Sequence, residues 1–172
     1  DGISATITID NLSPFNPTNA SGTAGSGEVS LSWVNSSDSD YSQTIVLQSS
    51  SSAIGTFAPT EGTSYSTSTA INTTTSVACV VAGAASTNVT CTDTGLTGGT
   101  AYHYKIFTYD SRGNYSTGTV PANSPLTPSA AITPTVNIGD GTDPGNTTIG
   151  PGGSATQVDV FTLNTNTGTF TV

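Results

Sequence analysis

The chain has 172 residues, only 8% of them charged, and carries a net charge of -9 at neutral pH. Lys105 and Arg112 are its two fixed cations, so the clustered positive charge that holds nucleic acid or an anionic membrane surface is missing. No apolar run is long enough to span a bilayer as a helix, and the length allows one sandwich-sized domain of about a hundred residues plus a smaller remainder. Serine and threonine make up about a third of the chain, a hydroxyl-solvated composition that fits secreted and cell-surface proteins. No positively charged, apolar leader precedes Asp1, so a segment without its signal sequence is expected.

In chain order, Ile3, Ala5, Ile7 and Ile9 alternate with polar residues, which predicts a first strand with one buried face running to Leu12. Such a strand either lies in its own sheet or is donated to a neighbouring subunit. Residues 13–27 hold prolines, glycines and alanines without periodicity and are expected to form a long loop anchored by Phe15. Glu28 to Trp33 alternates again, with Val29, Leu31 and Trp33 inward. After a loop through Asp38 and Asp40, Tyr41 to Gln48 is a strand in which either Ile45 and Leu47 or Thr44 and Val46 face inward, a register the residues leave open. Residues 49–75 are rich in hydroxyls, broken by Phe57, Pro59, Gly62 and Tyr65, and are expected to wrap one edge of the fold.

The two cysteines lie in Ser76-Val-Ala-Cys79 and Asn88-Val-Thr-Cys91, which look like antiparallel strands joined through residues 83–87. If Val81 faces Val89, Cys79 faces Cys91, and opposed residues at a non-hydrogen-bonded position have the short separation a disulfide needs. A bridge is therefore expected, and with it an oxidising compartment.

Gly95 to Ser116 unites turn chemistry, alternation and a large ring at a strand entrance. Tyr102, Tyr104, Ile106 and Thr108 share one face, which is expected to be the core face because Lys105 on the other then points to water. Leu96 precedes Tyr102 across a Thr-Gly-Gly-Thr corner, leaving the phenol free to bond main chain upstream. The stretch resembles strands E to G of a fibronectin type III domain, with Leu96, Gly99, Thr100, Tyr102, Asp110, Gly113, Asn114 and Ser116 matching and Gly98 standing where proline is usual. Glu28 to Trp33 resembles strand B of the same family. The resemblance, over about residues 5–128, implies an all-β, immunoglobulin-like two-sheet sandwich with Trp33, Leu96 and Tyr102 as core and corner. It implies a scaffold rather than an activity.

Thr117 to Leu126 is then strand G, interrupted or at an edge because of Pro121 and Pro125. Beyond a linker after residue 128, strands are expected at 147–149, 155–163 and 169–172. Three short strands cannot bury a core, so this tail belongs to a domain cut short, or packs on the first domain or on another copy of the chain.

Residues that could carry chemistry are few. His103 is the only histidine and falls on the outward face of its strand; Glu28 and Glu61 are the only glutamates. A Ser-His-Asp site, a glycosidase pair, a zinc or haem site and any bound cofactor are therefore not expected. The resemblance puts Asp38 and Asp40 at the same pole as Asp110 and Asn114, and Asp140, Asp143 and Asn146 form a second cluster; both could offer oxygens to calcium. The same residues close turns, and that is the expected role. Ser111-Arg-Gly-Asn114 sits where some relatives carry an adhesive Arg-Gly-Asp, but Asn replaces the carboxylate. Asn-x-Ser/Thr triplets begin at Asn11, Asn19, Asn35, Asn72, Asn88, Asn114 and Asn146. A Lys–Asn crosslink of the kind seen in surface pilins is not expected while Lys105 faces solvent.

The expectation is a non-catalytic extracellular module that self-associates or meets other cell-surface proteins. The alternative is a carbohydrate-binding or spacer module in which Phe107, Tyr109 or Tyr115 stacks on sugar rings.

Overall fold

A computed structural model of the chain describes residues 10–131, together with the backbone of 137–140, 161–165 and 168–170. Among the described residues there is no helix. Two compact units divide at Ala131 and Ile132.

The first unit is a β-sandwich. One sheet has the order β1-β2-β5, from Thr18–Ala24, Glu28–Val34 and Asn88–Thr94; the other has the order β4-β3-β6, from Thr75–Ala82, Tyr41–Ser49 and His103–Asp110. All pairings are antiparallel. The alternating Val29, Leu31 and Trp33 are buried as expected and meet Val46, Tyr104 and Ile106 of the facing sheet, with Leu96, Tyr102 and Leu126 closing the same core. After β6 the chain returns beside it only at single ladder positions, Tyr115, Thr119 and Leu126. This is the interrupted last strand that its prolines imply.

Four expectations are corrected. Residues 13–27 are not one loop, because β1 occupies Thr18–Ala24 and pairs with β2. Its inward positions are Ala20 and Gly22, and a Cβ on Gly22 would lie 2.4 Å from Leu126 Cδ1. Only minimal side chains fit there, so the strand carries no apolar alternation. Phe15 does not anchor the segment, being 67% exposed. The cysteine strands are not partners: β4 pairs with β3 and β5 with β2, so Cys79 stands opposite Val46 and Cys91 opposite Leu31. Lys105 does not face water. It is 7% exposed, because the second face of β6 is covered as well.

That cover is residues 50–71. Ile54, Tyr65 and Ile71 pack on Ile45, Leu47, Val77, Phe107 and Tyr115, so the open register of β3 resolves with both of its faces buried. Part of the segment also extends the sheet edge, with Ser68 donating to Val77 O at 2.8 Å and Val77 donating to Thr69 O at 2.9 Å. It therefore roofs the sheet as well as wrapping its edge.

Gly98 has a structural reason. Residues 128–130 cross directly over it, and a Cβ would sit 2.3 Å from Ala130 Cα. The crossing is fixed by Gly99 donating to Pro128 O, Gly27 to Ser129 O and Ser129 to Gly25 O, each at 2.9 Å.

In the second unit, β7 (Asn137–Asp140), β8 (Phe161–Thr165) and β9 (Gly168–Phe170) form an antiparallel sheet in that order. Expected strands at 147–149 and 155–160, and the first-strand segment at residues 3–9, lie outside the described residues. Asp140 lies within β7 instead of a loop, and Asp143 and Asn146 are also outside them.

Candidate functional site

Cys79 and Cys91 form a disulfide with Cα atoms 6.5 Å apart, and because they belong to β4 and β5 the bridge joins the two sheets. It lies in the core beside Trp33 and Val46. Closing a loop of this size stabilises the fold by about 3 kcal/mol in the chain-entropy model.

Trp33 is 2% exposed, and its indole N–H donates to Asn35 Oδ1 at 3.0 Å. The same oxygen accepts from Thr44 Oγ1 at 3.1 Å, while Asn35 Nδ2 donates to Ala84 O at 3.0 Å. Asn35 therefore satisfies the one polar atom of the largest core residue and ties it to β3 and to the turn before β5. As sequence it is one of several Asn-x-Ser triplets in a loop; as structure it is buried, which closes that triplet to modification in the folded state. The Tyr102 hydroxyl accepts the Thr97 N–H at 3.0 Å. Tyr102 and Leu126 exchange main-chain bonds of 2.8 Å, and Leu96 donates to Gly27 O at 2.9 Å.

At one pole, carboxylate oxygens of Asp10, Asp40 and Asp110 lie within 4.8 Å of one another. Three such oxygens could hold a hard cation, yet Asp110 is committed to its turn. Its Oδ1 accepts from Arg112 N and Asn114 N at 2.8 and 2.9 Å, and Oδ2 accepts from Asn114 Nδ2 at 2.8 Å. Burial alone would raise this carboxyl, but the hydrogen bonds from Asn114, Arg112 and Gly113 outweigh it and hold it below the ordinary value. Asp40 is pushed up, chiefly by burial and then by Asp110 and Asp10. Asp38 stays out of the trio: it accepts from Ser36 Oγ and from the Phe15 N–H. Asp10, which nothing in its local sequence flags, takes its place.

The outer face of the second sheet holds a buried cation. Lys105 Nζ donates to Gly55 O at 2.7 Å and Phe57 O at 3.4 Å and stands 5.1 Å from the centre of the Phe107 ring. Burial lowers its pKa. Main-chain carbonyls, not an asparagine side chain, cap this ammonium. Beside it Tyr115 stacks obliquely on Tyr109 at 4.6 Å and Tyr65 at 6.2 Å. Tyr115 donates its N–H to Glu61 Oε2 at 2.8 Å and its hydroxyl to Thr63 O at 2.7 Å. Glu61 thus pins the roof to the turn after β6. Of the rings expected to stack on sugars, Phe107 and Tyr115 are almost fully buried and Tyr109 half-buried. The roof therefore covers two of the three rings.

His103 is half-buried at the rim of an apolar cavity of about 300 Å³ with Ile54, Val120 and Pro125. Among the described residues no helix is long and apolar enough to cross a membrane. No protein-family model, curated protein or solved structure matches this chain.

Proposed function

We propose that the chain is a non-catalytic structural module of the fibronectin type III kind, belonging to a secreted, cell-surface or filament-forming protein and working by association with copies of itself or with other surface proteins. The observation that carries this reading is the disulfide between the sheets, which fits an oxidising compartment. Two further features support it. The fourth strand sits beside β3, which separates the order from the ABED/CFG arrangement of immunoglobulin constant domains. Trp33, Leu96 and Tyr102 all lie in one core, as the family resemblance implies. Assembly would proceed through strand or tail exchange. The sugar-binding reading loses its stacking platform, since Phe107 and Tyr115 are covered.

Size-exclusion chromatography and electron microscopy of the full chain, beside a glycan array, test the proposal. Concentration-dependent oligomers or fibres without glycan retention are expected. A monomer at all concentrations that is retained on polysaccharide overturns it.

A further inference from the structure

At one end the space between the two sheets turns polar. Gln48 of β3 stands opposite Ser76 of β4 and Tyr104 of β6. Opposed residues share a face of the sheet, and Tyr104 belongs to the inner core, so these three form a row on the inner side. Asp93 reaches that row from the other sheet, where its Oδ2 accepts the Tyr104 hydroxyl at 2.9 Å. Gln48 Nε2 donates to Ser76 Oγ at 3.1 Å. Gln48, Ser76 and Asp93 wall a cavity of about 360 Å³, completed by Ser68 and Thr94, with Tyr104 behind Asp93. That volume lies in the lower range of small-ligand pockets.

The row is short of donors. Gln48 Oε1 is buried and accepts no hydrogen bond, and Asp93 accepts none beyond Tyr104 among the described residues. Neither fixed cation serves the cavity: Lys105 is spent on Gly55 and Phe57, and Arg112 follows β6 in its turn. Unmatched buried acceptors are unfavourable, and a partly desolvated carboxylate gains most from a counter-charge.

We propose that this cavity binds a primary ammonium group, with Asp93 as the counter-charge and Gln48 as a neutral acceptor. An ammonium offers three donors and no acceptor, the complement of a carboxylate oxygen, an amide oxygen and hydroxyls. A guanidinium fork asks for two coplanar acceptors, and Asp93 has already given one oxygen to Tyr104. Burial pushes the Asp93 carboxyl up, against the Tyr104 hydrogen bond, as befits an acid without its cation. Lys105, the single lysine of this sequence, is already spent, so the ammonium belongs to a free amine or to a lysine outside this sequence.

The test is a titration of the isotope-labelled full chain with n-butylammonium chloride, followed by amide chemical shifts. Sodium chloride and tetramethylammonium chloride serve as controls for ionic strength and for charge without N–H donors. Saturable shifts at Asp93, Thr94 and the Gln48 side-chain amide are expected, with a Kd of about a millimolar. Asp93→Asn, which can still accept from Tyr104, is expected to weaken binding at least about tenfold, and Gln48→Glu to tighten it. Should Asp93→Asn not fold, the direction of change in Gln48→Glu decides. Tighter binding of a peptide with one central lysine assigns the site to protein lysines, and weaker binding assigns it to free amines. Shifts that do not saturate, equal shifts with tetramethylammonium, or indifference to both substitutions overturn the proposal.

Discussion

The two faces of the sheet β4-β3-β6 are both buried, but they are covered differently. The inner face meets another sheet, β1-β2-β5, through alternating apolar residues and a covalent bridge. The outer face meets an irregular roof, residues 50–71, that contributes Ile54, Tyr65 and Ile71 and main-chain carbonyls to Lys105. A strand buried on one face writes a period of two into its sequence, whereas a strand buried on both faces reads as a continuous apolar run. That is why the run Ile45-Val46-Leu47 is continuous and its register cannot be chosen.

The contrast can be broken first by truncation. Trp33→Ala, on the inner face, is expected to cost about 4 kcal/mol of unfolding free energy, and Phe107→Ala, on the outer face, about 3 kcal/mol because an irregular roof can settle into the space. Urea unfolding monitored by tyrosine fluorescence and circular dichroism checks both. An equal or larger loss at Phe107 would mean that the roof is as unyielding as the opposite sheet.

Next in size is the bridge. Replacing both cysteines by alanine is expected to lower stability by about 3 kcal/mol, with the roof contacts retained. The measurement is unfolding of the double variant beside hydrogen exchange of Ser68 and Val77, whose exchange should rise no faster than that of Leu31.

A last contrast, between the buried phenols and the buried ammonium, is read by pH. Burial raises the phenols of Tyr104, Tyr115 and Tyr41 above the ordinary 10.0. Their contribution is fully present below about pH 10 and is lost as pH rises through the folded-state values, because the unfolded chain ionises first. Lys105 runs the other way. Its folded pKa lies below the ordinary 10.5, so its burial penalty is complete below that folded value and is relieved as pH climbs towards the unfolded one. Stability should therefore fall above about pH 10 at roughly 1.4 kcal/mol per pH unit for each net proton, and Lys105→Met should fall more steeply. Urea unfolding between neutral pH and pH 11 checks the sign. A Lys105→Met curve parallel to the parent would mean that the ammonium is solvated.

Much of the inner face could be read from the residues. Glu28 to Trp33 carries its strand period openly, the inward set Tyr102, Tyr104 and Ile106 was legible beside it, and the cysteines announced their partnership. What they did not announce was the partner sheets, because a short connection between two apolar stretches reads as a hairpin when its strands in fact cross from one layer to the other. β1 was hidden because Ala20 and Gly22 have almost no side chain to alternate, Leu126 and Leu31 having taken the room. Lys105 misled because a cation on an alternating strand ordinarily marks the wet side, and carbonyls of a roof 48 to 50 residues away in sequence leave no local trace. The pole of Asp40 and Asp110 was legible through its turn chemistry; Asp10 joined it only by tertiary placement, and the donor-poor row of Gln48 and Asp93 arises from two layers meeting.

The bridge between the layers also fixes how far the chain can be drawn out. Cys79 and Cys91 are 12 positions apart in sequence and their Cα atoms are 6.5 Å apart, whereas the same stretch pulled straight would span about 40 Å. Under tension applied at the two ends, the oxidised chain should stop about 35 Å short of the reduced one. A reductant would thus set how long the stretched chain becomes without altering its sequence.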